Sequence, residues 1–257
     1  MITLFKGIDV SKHNGNINWE KVKNSGIDFA MIRAGYGANN IDSQFNRNIF
    51  ECNRIGLPCG VYWFSYALNA EMARKEAQYC LAAVKPYKLQ YPIAFDFEYD
   101  SVTYAKKQGV SIGKKLASEI MQAFCSEIEK AGYFVINYSN IDYLKNYFED
   151  AASKKYGLWL AQWTNLQNPS KECLIWQYSE TGKVDGISGQ VDLDKSFVDF
   201  PKLIKDKQLN GFKKEWYEDA QEWVKKFGIS DGSKPLETAS RAEVWSMLKR
   251  YHEKFDS

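Results

Sequence analysis

The chain has 257 residues, 45% of them apolar and 26% charged, which is the balance of a folded globular protein and not of a disordered or fibrous one. Its 34 basic and 32 acidic residues leave a net charge of +2 with no long run of either sign, so nothing calls for nucleic acid or an anionic membrane as a partner. The two histidines, His13 and His252, stand at opposite ends of the chain, and no GxSxG, GxGxxG or GxxxxGK[ST] pattern occurs. That disfavours a His-rich zinc site, a Ser/His/Asp triad and a phosphate loop. Carboxylates are the chemistry left, and no metal or cofactor is expected.

The opening MITLFKGIDVSKHNG has no apolar h-region behind a basic stretch, so it does not read as a signal peptide and synthesis in the cytosol is expected. No apolar run reaches the ~18 residues of a membrane helix, so stable membrane association is not expected. Cys52, Cys59, Cys80, Cys125 and Cys173 are odd in number, contain no CxxC pair and read as reduced thiols.

In chain order, short apolar, β-branched or aromatic segments alternate with helix-like stretches. The expected strands are Phe5 to Ser11, Phe29 to Gly35, Cys59 to Tyr66, Tyr91 to Glu98, Tyr133 to Ser139, Leu158 to Trp163, Leu174 to Ser179 and Gln190 to Leu193. Several are nearly continuous apolar runs, as in strands of a parallel sheet buried on both faces. Helical spacing covers Asp42 to Ile55, Ala70 to Val84 and Ile112 to Ala131, the last with Ser111 as N-cap and Gly132 as left-handed stop. Eight strands alternating with helices predict an α/β protein, a (β/α)8-like barrel. Loop residues fill Trp163 to Glu172 and Glu180 to Gly189, so some outer helices are expected to be short or missing.

The barrel domain is expected over 1–204, a polar linker over 205–211, and a small helical module over 212–257. In the module, Glu215 to Phe227 reads as an amphipathic helix stopped by Gly228. A turn follows at Ser230 to Ser233, and Ser240-Arg241-Ala242-Glu243 forms a capping box opening a helix toward Phe255.

Within Tyr91 to Glu98, Asp96 and Glu98 are two apart and share the strand face opposite Phe95 and Phe97. At the C-terminal end of a barrel strand that face lines the mouth, where active sites of this fold sit. Two acids there are unfavourable unless paired, hydrogen-bonded or protonated, and one of them gains a raised pKa suited to proton donation. Glu98 is the expected general acid and Asp96 its electrostatic partner, a division of labour used in glycoside hydrolysis. The plainer alternative is an exposed acidic edge. Asp9 ends the first strand and Asp192 lies in the eighth, its neighbour in a closed barrel, so two further acids are expected at the same mouth. Tyr36, Tyr62, Tyr66, Tyr138, Trp163 and Trp176 offer flat faces for sugar rings, with Gln162 and Gln177 as amide partners. Packing is the alternative use for about half of these aromatics.

Four motifs, GIDVSKHNGNINW at Gly7 to Trp19, IRAGYG at Ile32 to Gly37, AFDFE at Ala94 to Glu98 and WQYSETGKVDGISGQVDLD at Trp176 to Asp194, resemble glycoside hydrolase family 25, the lysozymes that include many phage endolysins. The resemblance covers Phe5 to Leu203. It implies cleavage of the β-1,4 bond after N-acetylmuramic acid in peptidoglycan, with Glu98 as acid/base and Asp96 supporting attack by the acetamido group. It places the family's first-strand and last-strand aspartates on Asp9 and Asp192, while Asp194 stands where members often carry Asn. The tail is similar to the wall-binding modules of clostridial phage endolysins, which implies a Gram-positive wall as partner and holin-dependent release from the host cytoplasm. Trp216, Tyr217, Trp223, Trp245 and Tyr251 there read equally as a binding face, a helix-packing core or a self-association surface. A non-catalytic wall-binding lectin and a chitinase-like glycosidase are the competing readings of the same barrel.

Overall fold

The computed structural model of the chain describes residues 4–164, 168–205, 218–231 and 240–255. It divides into two compact units, residues 1–210 and 211–257.

In the first unit the described elements run β1 (Phe5–Val10), α1 (Trp19–Asn24), β2 (Phe29–Tyr36), β3 (Asn40–Ile41), α2 (Phe45–Ile55), β4 (Cys59–Phe64), α3 (Ala70–Val84), β5 (Ile93–Asp96), α4 (Tyr99–Lys107), α5 (Lys114–Lys130), β6 (Val135–Asn140), α6 (Ile141–Asn146), α7 (Asp150–Lys155), β7 (Gly157–Ala161), β8 (Ile175–Gly182), β9 (Val191–Ser196) and α8 (Phe200–Lys205). The sheet order β1-β9-β8-β7-β6-β5-β4-β2, closed by pairing of β1 with β2, makes an eight-stranded barrel, with β3 as a two-residue appendage on β2. Parallel pairing holds from β1 through β2 and on to β8, whereas β9 runs antiparallel to both β8 and β1. The uniformly parallel barrel expected from the apolar runs is corrected here. Residues 183–190 between β8 and β9 are too few for a crossover, which takes a dozen or more residues, so the chain reverses instead.

Strand alternation sorts the core into two layers. Ile8, Ile32, Val61, Ile93 and Phe95 face outward and pack with Ala77, Ile120 and Phe124 of the outer helices. Phe29, Met31, Ala94, Ile136, Trp159 and Ile175 face inward. The barrel floor is filled by Phe29 stacked on Tyr91, ring centroids 4.2 Å apart, with Phe200 of α8 against Tyr91 at 5.1 Å and Phe134 at 5.3 Å. Room for this floor comes from Gly7, where a Cβ would lie 2.1 Å from the Phe29 ring. The floor is therefore packed and dry.

Other boundaries also move. Helix α5 starts at Lys114 with Gly113 at its N-cap, so Ser111 does not cap it, while Gly132 takes the left-handed φ of 83°. Lys205 ends a helix and is not linker, and the remainder of the expected linker, 206–210 and Gly211, lies outside the described residues. All five cysteines are buried and unbridged.

The second unit contains α9 (Glu218–Lys226) and α10 (Arg241–Phe255). Ser240 and Glu243 form the capping box: the Glu243 N–H donates to Ser240 Oγ and the Ser240 N–H to Glu243 Oε2. Trp223 stacks on Phe255 at 5.6 Å and meets Phe227 at 5.1 Å, so Trp223 joins a packing cluster between the helices, and Tyr251 lies 6.1 Å from it. Trp245 is 65% exposed. Trp216, Tyr217 and, of the expected turn at Ser230 to Ser233, Gly232 and Ser233 lie outside the described residues. No described helix is long and apolar enough to cross a membrane.

One outer helix carries a buried acid. Glu76 on α3 is 3% exposed; its Oε1 accepts the Tyr66 N–H at 3.0 Å and its Oε2 has no partner. Burial raises its pKa from 4.5 to about 7, against the opposing bonds from Ser65 and Tyr66. The raised pKa means the folded chain holds this proton more tightly than the unfolded chain. The associated stability is complete below about pH 4.5 and is lost as pH rises through about 7, to the order of 3 kcal/mol. Glu76→Gln keeps an acceptor for Tyr66 without titrating, so its melting temperature is expected to fall several degrees less than wild type between pH 5 and pH 8.5, as read by thermal unfolding at both pH values.

Candidate active site

The C-terminal ends of the parallel strands and the N-terminal end of β9 meet at one mouth. Because β9 is reversed, its early residues stand there, and Asp192 pairs directly with Asp9 on β1. Asp194, two residues on, shares that face and sits opposite Gln177 on β8. Asp96 ends β5 beside Phe64 on β4 and Tyr138 on β6. Glu98 keeps extended backbone but lies beyond the ladder: it is the N-cap of α4, its N–H donating to Ser101 Oγ at 3.1 Å. The expected strand therefore stops two residues early. At the N-cap the Glu98 carboxylate also meets the positive end of α4.

A cavity of about 270 Å³ is lined by Asp9, Arg33, Tyr62, Asp96, Glu98, Tyr138, Trp163, Gln177 and Asp192, together with Phe64, Trp159 and Glu180. The structure thus brings together all four expected acids and four of the eight expected sugar-facing residues, Tyr62, Tyr138, Trp163 and Gln177. Tyr36 and Tyr66 line a neighbouring groove instead. Gln162 and Trp176 line neither: Trp176 is 2% exposed, its Nε1 donates to the Gln162 carbonyl at 2.9 Å, and the Gln162 side chain accepts the Ser170 N–H. Strand parity explains this, because Trp176 is one residue before Gln177, so if Gln177 faces inward Trp176 must face out.

Gln177 is the hub of the polar network. Its Nε2 donates to Asp9 Oδ2 at 2.7 Å, while its Oε1 accepts from the Tyr138 hydroxyl at 3.0 Å and from Trp163 Nε1 at 3.1 Å. Trp163 is held this way with its ring 54% exposed at the mouth. Arg33, partly buried in the apolar run of β2, donates through Nε to Asp42 Oδ2 at 2.7 Å, and Asp42 also accepts the Lys12 and Gln44 N–H groups. Arg33 and Trp159 were not singled out from sequence. The available signal for Arg33 was a lone cation inside an apolar strand, which must find a counter-ion.

Asp9, Asp96, Glu98, Asp192 and Asp194 are each pushed toward the protonated form, with burial the largest cause. Asp96 is raised well above the usual carboxylate range by burial and then by Glu98, against Arg33. Glu98 is raised by burial and by Asp100 and Asp192, with a bond from Tyr138 opposing. Asp9 is raised well above its usual range by burial and the charges of Asp194 and Asp192, with Gln177 opposing. Asp192 is pushed up to about 6 and Asp194 to about 8. One oxygen of Asp96, Oδ1, is buried with no partner.

Asp194 sits behind the cavity, 1% exposed, its Oδ1 accepting Trp159 Nε1 at 2.8 Å. Its Oδ2 has no donor and it stands within bonding reach of Asp9. Two carboxylate oxygens can bond only by sharing a proton; this bond raises the pKa of Asp9 and lowers that of Asp194, so Asp9 donates and Asp194 accepts.

Five acids, one guanidinium and exposed aromatic faces at the mouth of a barrel are the parts of a carboxylate-based barrel hydrolase. The chain belongs to the glycosyl hydrolases family 25, whose model matches residues 8–187. It is 28% identical over 199 residues to lysozyme M1 of Streptomyces globisporus, covering 74% of this chain and 67% of that protein. It is 26% identical over 193 residues to the autolytic lysozyme of Clostridium acetobutylicum, covering 74% of this chain and 55% of that one. Among solved structures, the modular autolysin LytC of Streptococcus pneumoniae shares 32% identity and a TM-score of 0.65 over 75% of this chain and 46% of its own. The CTP1L endolysin, at 18% identity, is alike in fold, with a TM-score of 0.67 over 98% of this chain and 100% of that chain. Among the described residues no group of three or more His, Cys, Asp or Glu is arranged to hold a metal ion.

The ionisation of Asp194 has a pH signature. It is pushed up to about 8, so above that pH it carries a charge behind the mouth and repels the other acids there. Catalytic rate is expected to fall on that alkaline limb. Asp194→Asn keeps an acceptor oxygen for Asp9 and carries no charge at any pH, so its rate at pH 9 relative to pH 6.5 should exceed that of wild type at least about threefold; superimposable pH profiles would show that the charge on Asp194 does nothing for the rate.

Proposed function

We propose that the chain is a muramidase that hydrolyses the β-1,4 bond between N-acetylmuramic acid and N-acetylglucosamine in peptidoglycan. The observation that carries this reading is the unpartnered, buried Asp96 Oδ1 in the same cavity as Glu98. An acceptor kept dry and unbonded suits an amide N–H brought by the ligand, and the acetamido group of an N-acetyl sugar supplies one. Glu98, with its raised pKa, gives its proton to the glycosidic oxygen as the bond from C1 breaks, and later takes a proton from the attacking water. With its N–H held by Asp96, the acetamido group directs its carbonyl oxygen at C1. Asp192, pushed up only to about 6 and bonded to Asp9, supplies negative charge that favours positive charge developing on the sugar ring, while Gln177 holds Asp9 beside it. Trp163 offers its exposed face for stacking.

Support for the substrate comes from the relatives: two are lysozymes, and LytC has been crystallised with a synthetic peptidoglycan ligand. A phage endolysin role, with holin-dependent release from the cytoplasm onto a Gram-positive wall and residues 211–257 as the wall-binding module, is the biological setting this reading favours. Likeness in fold to CTP1L along nearly the whole chain supports it. A self-association role for the second unit rests on the exposed Trp245.

Glu98→Gln is expected to fold normally and to lower hydrolysis ~10² to 10⁴-fold. Mass spectrometry of digested peptidoglycan should find new reducing ends on muramic acid for wild type; ends on glucosamine, or near-normal turbidity clearing by the variant, would sink the reading. A chain ending at Asn210 should still cleave soluble glycan while its cell-bound fraction in a pull-down drops. An unchanged bound fraction would remove the targeting role of the second unit.

A further inference from the structure

Beside the catalytic cavity lies a second groove of about 460 Å³, whose walls are Tyr36 at the end of β2, Asn40 of β3, Tyr66 after β4, and one face of α4 carrying Asp100, Tyr104 and Lys107. The two spaces share a wall: Phe64, in the cavity, packs on Tyr66 at 5.1 Å, and Arg33, also in the cavity, lies 5.8 Å from the ring centre of Tyr36. The groove is also joined to the chemistry through α4, since the helix that forms its floor is capped by Glu98. A ligand seated in the cavity has only this wall to cross.

The chemistry of the groove is not that of a sugar platform. Tyr36 and Tyr66 meet at 78° and Tyr66 and Tyr104 at 66°, so the three rings form the sides of a slot and give no common flat face. Asp100 and Lys107 are exposed on one helix face, seven residues and therefore roughly 10 Å apart, and among the described residues neither is in an ion pair. Lys12 adds a second ammonium, 5.7 Å from the Tyr36 ring centre. N-acetylglucosamine carries no charge and muramic acid at most its one lactyl carboxylate, which gives Asp100 nothing to meet, whereas a peptide with free carboxylates and an amine meets both signs. The slot is also pre-set: Glu76 accepts the Tyr66 N–H and Ser65 Oγ accepts the Ala67 N–H, which fix the turn that carries Tyr66.

Resting on the muramidase reading, we propose that this groove binds the stem peptide attached to the muramic acid lactyl group, with Lys107 taking a peptide carboxylate, Asp100 facing its amine and the tyrosines enclosing its backbone. The groove then makes the chain selective for glycan that bears peptide.

The test compares kcat/KM on solubilised glycan strands that carry stem peptides with that on the same strands stripped of peptide by an amidase, for wild type, Lys107→Glu and Tyr104→Ala. Both side chains are on the surface, so the fold is expected to persist, and circular dichroism checks it. Wild type should prefer peptide-bearing strands; each variant should lose roughly fivefold on those strands, mostly in KM, and nothing on stripped ones. Equal wild-type rates on both substrates would overturn the proposal. So would losses of equal size on both substrates, which are the signature of a sugar subsite. If wild type cleaves neither substrate, the muramidase reading itself fails and the stem-peptide site with it.

Discussion

The reversal of β9 is the constraint on which the site depends. Seven strands of the barrel point their C-terminal ends at the mouth, as the parallel pairing of β1 through β8 dictates. Had β9 followed them, Asp192 at its start would lie at the opposite end, beside the aromatic floor. The short link after β8 forces the turn, the turn inverts the strand, and the inversion brings Asp192 and Asp194 alongside Asp9. The seam β1-β9-β8 then carries three carboxylates and Gln177 on one face. No other pairing in the barrel concentrates charge in this way.

That concentration opposes folding unless protons or hydrogen bonds offset it. The structure uses both. Gln177 gives one donor to Asp9 and takes two, so one neutral amide ties a catalytic-wall acid, a tyrosine and the exposed Trp163 into a single network. Trp159 reaches Asp194 from across the barrel. The guanidinium of Arg33 is anchored on Asp42 and so lowers the pKa of Asp96 without neutralising it. What the bonds do not offset, protonation does, and burial is the leading cause of the raised pKa at each of the five acids.

The barrel was legible because its strands are nearly continuous apolar runs, and the acids were legible because Asp96 and Glu98 interrupt one of those runs with period two. What escaped has definite physical origins. Strand direction is not written in hydrophobicity, and only the length of the β8–β9 link carries it. Glu98 looked like strand because extended backbone continues past the last ladder bond. Trp176 and Gln162 failed on parity, since the aromatic and amide of each neighbouring pair cannot share a face. Tyr36 has the parity of Phe64 through the register shift between Arg33 and Gly35, but it stands at the very end of its strand, where its ring meets Tyr66 and lines the second groove. Trp159 was hidden among core aromatics, because packing and catalytic support draw on the same residue types.

The floor of the barrel and the chemistry at its mouth are therefore one electrostatic problem. Phe29, Tyr91 and Phe200 fill the far end with packed rings, and Gly7 and Gly60 give up their side chains to let the rings and Met31 in. A dry floor lowers the dielectric under the acids, and with less solvent to stabilise charge their pKa values rise. The same burial that destabilises the fold at neutral pH holds a proton at the mouth. A wetter, more stable barrel would drain that proton to solvent, so better packing of charge and better catalysis pull this sequence in opposite directions.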